Sequence, residues 1–86
     1  MNQTAFHIYS DEELVVLMQQ GTLAAFDELY SRYAKSLKHY FYRMLDKDGD
    51  LADDYLQELM LKLCNNCKKY NGSVSFKTWL FSMAHN

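Results

Sequence analysis

Apolar residues recur at three- and four-residue steps through most of the chain, a spacing that predicts amphipathic α-helices. The longest stretch begins around Thr22 and runs to about Leu45, with a stripe of Phe26, Leu29, Tyr30, Tyr33, Leu37, Tyr40, Phe41 and Met44. The shorter stripes are Leu14, Leu17 and Met18, then Leu56, Leu59, Met60, Leu63 and Cys67, and finally Phe76, Trp79, Leu80 and Met83. No segment alternates like a strand. We therefore predict an all-α, compact four-helix domain with short loops over residues 1–86.

Capping residues indicate where these helices begin and end. Ser10 followed by Glu13 forms a capping box for the first helix, and Gly21 can close that helix. Asp50 is the predicted N-cap of the third helix, after an acidic turn. The fourth helix is predicted to begin near Ser75 and to run to the chain end without a stop signal. The sequence therefore predicts a domain that is truncated at its C-terminus.

Length and composition fit one small folded domain. Of the 86 residues, 49% are hydrophobic, which is enough for a core without disulfides or a metal. The N-terminus lacks the features of a signal peptide, and no apolar run reaches the length of a membrane span. Two cysteines are too few for a disulfide scaffold, so a reducing compartment is expected. We expect a soluble, cytoplasmic protein with no membrane partner.

Charge is distributed unevenly along the chain, although the net charge is only −2. Residues 46–58 carry six acids against Lys47, for −5, whereas residues 59–86 carry four lysines and no acid, for +4. A domain with an acidic middle and a basic end is suited to two partners of opposite charge.

Two short motifs suggest metal binding, but both are incomplete. Counted from Asp46 as a calcium loop, position 6 is Leu51 instead of glycine and position 12 is Gln57 instead of glutamate. Cys64 and Cys67 have the spacing of half a zinc site, but only scattered histidines remain as further ligands. We expect reduced cysteines in or beside a helical core, and no metal or other cofactor.

Catalytic machinery is not indicated by the sequence. It contains neither a nucleophile with its base nor a glycine-rich phosphate loop. Asp53, Asp54 and Glu58 could act as paired carboxylates, but they lie on the exposed side of a short helix. His39 lies among basic residues on a charged helix face and is expected to be solvated. We therefore predict a binding module and not an enzyme.

Three motifs in order and spacing resemble the extracytoplasmic-function (ECF) class of bacterial sigma factors, in the sigma-70 family. The first comprises residues 11–15, Gly21 and residues 25–33 (AFDELYSRY). The second is residues 52–58 (ADDYLQE), and the third is residues 76–80 (FKTWL) followed by residues 83–86 (MAHN). The resemblance covers almost the whole chain and implies the domain called region 2, a transcription initiation module.

In that family, region 2 binds the clamp helices of the largest subunit of core RNA polymerase. The resemblance implies a polymerase-binding surface formed by Asp53, Asp54, Gln57 and Glu58. The −5 segment suits a basic protein partner, although such charges usually form a solvated helix face. The resemblance also implies an anti-sigma factor as a further partner.

Region 2 also recognises and melts the −10 promoter element, holding its non-template strand. The implied contact is the loop 70–75 with the helix after it, because loop polar groups can contact an unstacked base, aromatic rings can stack on it and lysines attract phosphates. The DNA-binding candidates are Lys68, Lys69, Tyr70, Asn71, Ser73, Lys77 and Asn86. At this spacing Phe76 and Trp79 are expected in the core, with wedges that insert into the DNA as the alternative. The basic residues of the second helix are either solvated or line the strand's path; they are Arg32, Lys35, Lys38 and Arg43.

Other functions remain open at the level of sequence. One alternative is a helical protein–protein interaction domain, or an anti-sigma-type signalling domain, that does not bind DNA. A helix-turn-helix formed by the last two helices is a weaker alternative, since the loop is long and the last helix has a single lysine.

Overall fold

The computed structural model describes residues 3–85, with side chains from Phe6 onward. Its four α-helices are α1 (Asp11–Gln19), α2 (Leu23–Met44), α3 (Gly49–Asn66) and α4 (Phe76–His85). Short 3₁₀ helices, Gln3–Ile8 and Cys67–Lys69, precede α1 and follow α3. Within residues 3–85 there is no strand, and the predicted all-α, four-helix fold is confirmed. None of these helices is long and apolar enough to cross a membrane.

Polar side chains define where α1 and α3 begin. The Ser10 hydroxyl accepts a hydrogen bond from the Glu13 backbone N–H at 3.1 Å, and the Glu13 carboxylate accepts one from the Ser10 N–H at 2.8 Å. The predicted capping box is therefore present. The prediction for α3 was wrong by two residues, because Asp48 is the N-cap and its carboxylate accepts from the Leu51 N–H at 3.1 Å. Asp50 lies in the first turn, where its negative charge interacts favourably with the positive end of the helix dipole.

The end of α1 is a Schellman motif. Gly21 has a φ of +93°, a conformation that costs glycine little. The N–H groups of Gly21 and Thr22 donate to the carbonyls of Met18 and Leu17, each at 2.9 Å. These two bonds satisfy carbonyls that the helix itself leaves free, as expected of a glycine at this position. They turn the chain directly into α2.

The core lies between α2 and the helices packed around it. α2 packs against both α1 and α3, while α4 packs against α3 and α1. Burying a leucine or phenylalanine side chain contributes about 1.5–3 kcal/mol, so this shared core is the main source of stability. Its largest fully buried side chains are Leu14, Val15, Leu29, Leu37, Phe41, Leu63, Phe76 and Leu80. Two residues of the predicted α2 stripe, Tyr30 and Met44, are instead exposed.

Arg32 connects α2 to α1 and to the segment before α1. Its guanidinium forms ion pairs at 2.9 Å with Asp11 and with Glu28, and it donates to the Tyr9 carbonyl at 2.8 Å. The hydroxyl of the adjacent Tyr33 donates to the same Asp11 carboxylate. Arg32 therefore serves the fold and is neither simply solvated nor free to line a DNA path.

Candidate functional site

The predicted polymerase-binding residues form an exposed crest on α3. Asp54, Gln57 and Glu58 are all exposed, and their three- and four-residue spacing places them on one side of the helix. Asp53 lies beside this crest and pairs with Lys38 of α2 at 2.9 Å, with both side chains about half exposed. The crest is therefore accessible to a partner, with Asp53 held against α2.

An apolar groove runs along one side of the crest. It has a volume of about 350 Å³ and opens between α2 and α3. Tyr30 and Leu61 leave 41% and 64% of their surface exposed. A charged crest beside exposed apolar side chains has the composition of a protein–protein interface, with an apolar centre and a polar rim. The groove is lined by Phe26, Tyr30, Gln57, Met60, Leu61 and Cys64.

Tyr70, a predicted DNA-stacking residue, belongs to the core. The residue is only 9% exposed, and its ring packs against Trp79 and Phe76, with ring centres 5.0 and 6.1 Å away. Its hydroxyl donates to the Val74 carbonyl at 2.5 Å, and burial, followed by the charge of Glu12, raises the pKa of that hydroxyl. The ring has no open face for a base, because Trp79 and Phe76 cover it. Tyr70 instead connects the loop to the core, through the bond from its hydroxyl to Val74.

The loop itself exposes its polar side chains. Asn71 and Ser73 are exposed, and the Asn71 side-chain oxygen accepts from the Ser73 N–H at 3.0 Å, which forms a tight turn with Gly72 at a φ of +80°. This bond leaves the Asn71 amide NH₂ and the Ser73 hydroxyl as outward groups. Ser75 ends the loop by capping α4, since its hydroxyl accepts from the Thr78 N–H at 3.2 Å.

Two residues of α1 that the sequence did not indicate hold this loop. The Gln19 amide donates to the carbonyls of Cys67 and Tyr70, at 2.8 and 3.1 Å. The Glu12 carboxylate accepts from the backbone N–H of Phe76 at 2.8 Å. Both residues are polar positions of an amphipathic helix, so nothing in the local pattern separates them from solvated neighbours.

The predicted DNA-binding lysines lie around the loop and in the first turn of α4. All three are exposed: Lys68 and Lys69 lie on the second 3₁₀ helix, and Lys77 lies on α4. A groove of about 240 Å³ brings Lys69 together with Lys62, which was not predicted, over the half-buried Trp79. Asn86, the last predicted DNA contact, lies outside the described residues. Lysines beside an aromatic surface suit a nucleic-acid strand, because they attract phosphates while a ring can meet a base.

The acidic turn and the cysteine pair, the two motifs that suggested metal binding, do not form a metal site within the described residues. Asp48 of the acidic turn caps α3, and the described residues contain no cluster of three or more histidine, cysteine or acidic side chains that could hold a metal. Cys67 is buried in the core while Cys64 is exposed, as expected for cysteines in and beside a helical core. Partial burial, and then the neighbouring Cys67, raise the pKa of the Cys64 thiol.

Comparison with known proteins identifies the family to which this chain belongs. Residues 29–86 match the family described as Sigma-70 region 2. The chain therefore belongs to the sigma-70 region 2 family, and its similarity to ECF sigma factors assigns it to that class. This membership confirms the predicted family, whose sigma factors are transcription initiation factors.

Several curated sigma factors are similar to the chain. It is 31% identical to the ECF RNA polymerase sigma-E factor of Haemophilus influenzae, over 90% of this chain and 40% of that protein. It is 31% identical to the RNA polymerase sigma factor CarQ of Myxococcus xanthus, over 79% of this chain and 38% of that protein. It is 30% identical to the ECF RNA polymerase sigma factor SigM of Mycobacterium tuberculosis, over 93% of this chain and 40% of that protein. The chain thus spans less than half the length of these relatives. No solved structure matches it significantly.

Proposed function

We propose that this domain is a transcription initiation module that docks on core RNA polymerase through α3 and holds the melted −10 element at the loop 70–75. The observation that carries the proposal is the separation of charge between an acidic crest and a lysine-bearing side. Residues 46–58 contain six acids, whereas residues 59–86 contain four lysines and no acid. We expect the domain to act in the cytoplasm, where it would meet the polymerase.

The docking surface of the proposal is the α3 crest with its neighbouring groove. Asp54, Gln57 and Glu58 supply the polar contacts, and the exposed Tyr30 and Leu61 supply the apolar area that a stable interface needs. The pairing of Asp53 with Lys38 gives Asp53 a smaller share than the other three. An inhibitory anti-sigma factor would compete for the same surface.

The DNA-binding surface of the proposal is the outer side of the loop with the lysines around it. Asn71 and Ser73 would contact the edge of an unstacked base, and Lys77 would neutralise a phosphate at the start of α4. Tyr70 would support the loop and would not stack on a base. The remaining lysines would guide the strand's backbone without sequence preference; they are Lys62, Lys68 and Lys69.

Binding to purified core polymerase, or to its clamp-helix fragment, tests the docking surface. We expect micromolar or tighter binding, weakened about tenfold by Gln57→Ala or Asp54→Ala, which corresponds to a loss of about 1.4 kcal/mol. Asp27→Ala is the matched control, since Asp27 is an exposed acid on α2 that lines a different groove. No binding by the wild-type chain at high concentration would favour the alternative of a helical interaction domain with another partner.

Binding of single-stranded DNA tests the second surface. Affinity should fall as salt increases, because lysines that neutralise phosphates release counterions. Asn71→Ala, Ser73→Ala and Lys77→Ala should each weaken binding, and Lys47→Ala, in the acidic turn, should not. If all three substitutions leave the affinity unchanged, this assignment of the DNA contact is wrong.

A further inference from the structure

We propose that α1 fixes the conformation of the loop 70–75. Gln19 and Glu12 act as positioning residues that hold the loop in the shape that meets single-stranded DNA. This inference rests on the proposed function of the loop. It concerns residues that lie outside both proposed binding surfaces, and it assigns them a role through the loop and not through contact with DNA.

Gln19 holds the segment that enters the loop. Its side-chain amide donates two hydrogen bonds, to the carbonyls of Cys67 and Tyr70, across 48 and 51 residues of sequence. The Cys67 carbonyl also accepts from the Tyr70 N–H at 3.2 Å, and the Tyr70 carbonyl lies just after the end of the 3₁₀ helix. Gln19 therefore connects both ends of this short helix to α1. A glutamine side chain carries two donors on one nitrogen, so it can bind both carbonyls at once. A glutamate of the same shape would have no donor at neutral pH.

Glu12 holds the segment that leaves the loop. Its carboxylate accepts from the backbone N–H of Phe76, the first residue of α4, at 2.8 Å. A helix provides no internal acceptor for that N–H, and its positive end favours a negative charge there. Ser75 already caps the N–H of Thr78. The added effect of Glu12 is to fix the start of α4 to α1, 64 residues away in sequence.

The two contacts act as a pair because both arise from one rigid element. Glu12 and Gln19 are seven residues apart, which is about two helical turns and about 10 Å along the same side of α1. α1 is itself held to α2 by the ion pair between Asp11 and Arg32. The distance between the two ends of the loop is therefore set by a helix that contains none of the loop's own residues.

The loop has few other means of keeping its shape. Asn71, Gly72, Ser73 and Val74 are exposed, so no core packing fixes them. Two internal hydrogen bonds stabilise the turn, one from the Ser73 N–H to Asn71 and one from the Tyr70 hydroxyl to Val74. The Tyr70 ring packs against Trp79 of α4, so its bond to Val74 links one side of the turn to α4, and the α1 contacts hold the two ends of the loop. Loss of an α1 contact should therefore loosen the loop without unfolding the domain.

The test combines amide hydrogen exchange over residues 71–76 with binding of single-stranded DNA by the same variants. The DNA probe is the tightest binder that the wild-type chain selects from short random single strands. Losing about 1 kcal/mol of hydrogen bonding corresponds to about a fivefold change, so Gln19→Ala, Gln19→Glu and Glu12→Ala should each speed exchange and weaken binding about fivefold to tenfold. Glu12→Gln keeps an acceptor oxygen and should stay within about threefold of wild type.

Matched controls separate positioning from general stability. Gln20→Ala removes an exposed neighbour of Gln19, and Asp27→Ala removes an exposed acid of α2 that lines a different groove, but neither residue contacts the loop. Both should leave loop exchange and DNA affinity unchanged. If Gln19→Glu exchanges like wild type, or if exchange rises while affinity stays the same, the proposal is overturned. If the wild-type chain selects no DNA at all, the proposed promoter contact fails, whereas the exchange rates still show whether α1 anchors the loop.

Discussion

Replacing Arg32 by methionine should remove a large part of the domain's stability. Arg32 is 24% exposed at its side chain and joins three parts of the chain, through Asp11 of α1, Glu28 of α2 and the Tyr9 carbonyl. Methionine keeps much of the apolar stem that arginine packs against the fold. The loss should therefore report the guanidinium contacts and not a cavity.

The expected magnitude follows from these contacts. Each partly exposed ion pair contributes about 0.2–1 kcal/mol, and a hydrogen bond from a charged donor contributes about 1.5–3 kcal/mol. Because all of the bonds share one planar group, their contributions are not independent, and Arg32→Met should lower the free energy of unfolding by about 2–3 kcal/mol. Arg32→Lys should lose about half of that, since an ammonium cannot reproduce the fork that reaches several partners.

Urea denaturation followed by far-UV circular dichroism measures this change. Arg43→Met is the matched control, because Arg43 is an exposed arginine on the same helix. A double-mutant cycle with Asp11→Asn should give a coupling energy of at least about 0.5 kcal/mol, as for residues in direct contact. If Arg32→Met is no more destabilising than Arg43→Met, Arg32 does not hold α1 to α2.

Three further predictions concern single residues. Asp48→Ala should cost about 1 kcal/mol in urea denaturation by removing the α3 cap, and Asp50→Ala clearly less, while equal losses would contradict the assignment of the cap. Burial, and then the hydrogen bond to Asp11, raise the pKa of Tyr33 above its ordinary value of 10.0. The unfolded chain therefore releases this proton first, so stability should fall above about pH 10, and Tyr33→Phe should reduce that fall in urea titrations. Under native conditions a maleimide should label Cys64 alone, which mass spectrometry can verify; labelling of both cysteines would show that the core opens.

Helices and core were predictable from sequence because they depend on local spacing. Phe76 and Leu80 repeat at helical steps, and both are buried in the structure. Cap positions were predictable only in part. Asp48 and Asp50 flank the same glycine, and local pattern does not decide between two acids that can each accept from an N–H two or three residues later.

Contacts between distant polar residues were not predictable. Glu12 and Gln19 have the same polar character as Glu13 and Gln20, and they differ only in what α4 and the second 3₁₀ helix bring near them. Tyr70 is the opposite case, because its sequence context suggested a surface role for a side chain that the structure buries. A tyrosine between lysines and a turn resembles a stacking residue, but Trp79 and Phe76 cover its ring once α4 packs against the core.

The arrangement of contacts would allow so small a domain to serve the two partners proposed above. α3 contributes Leu56, Leu59 and Leu63 to the core while its outer side carries the crest, so a partner docked there meets a helix that the core already holds rigid. The loop 70–75 follows α3 in sequence, but its polar anchors come from α1. Changes on the crest can therefore alter docking without moving the loop, and changes at Gln19 can alter the loop without touching the crest. Separate supports of this kind allow the acidic and basic surfaces to be adjusted independently on one shared core.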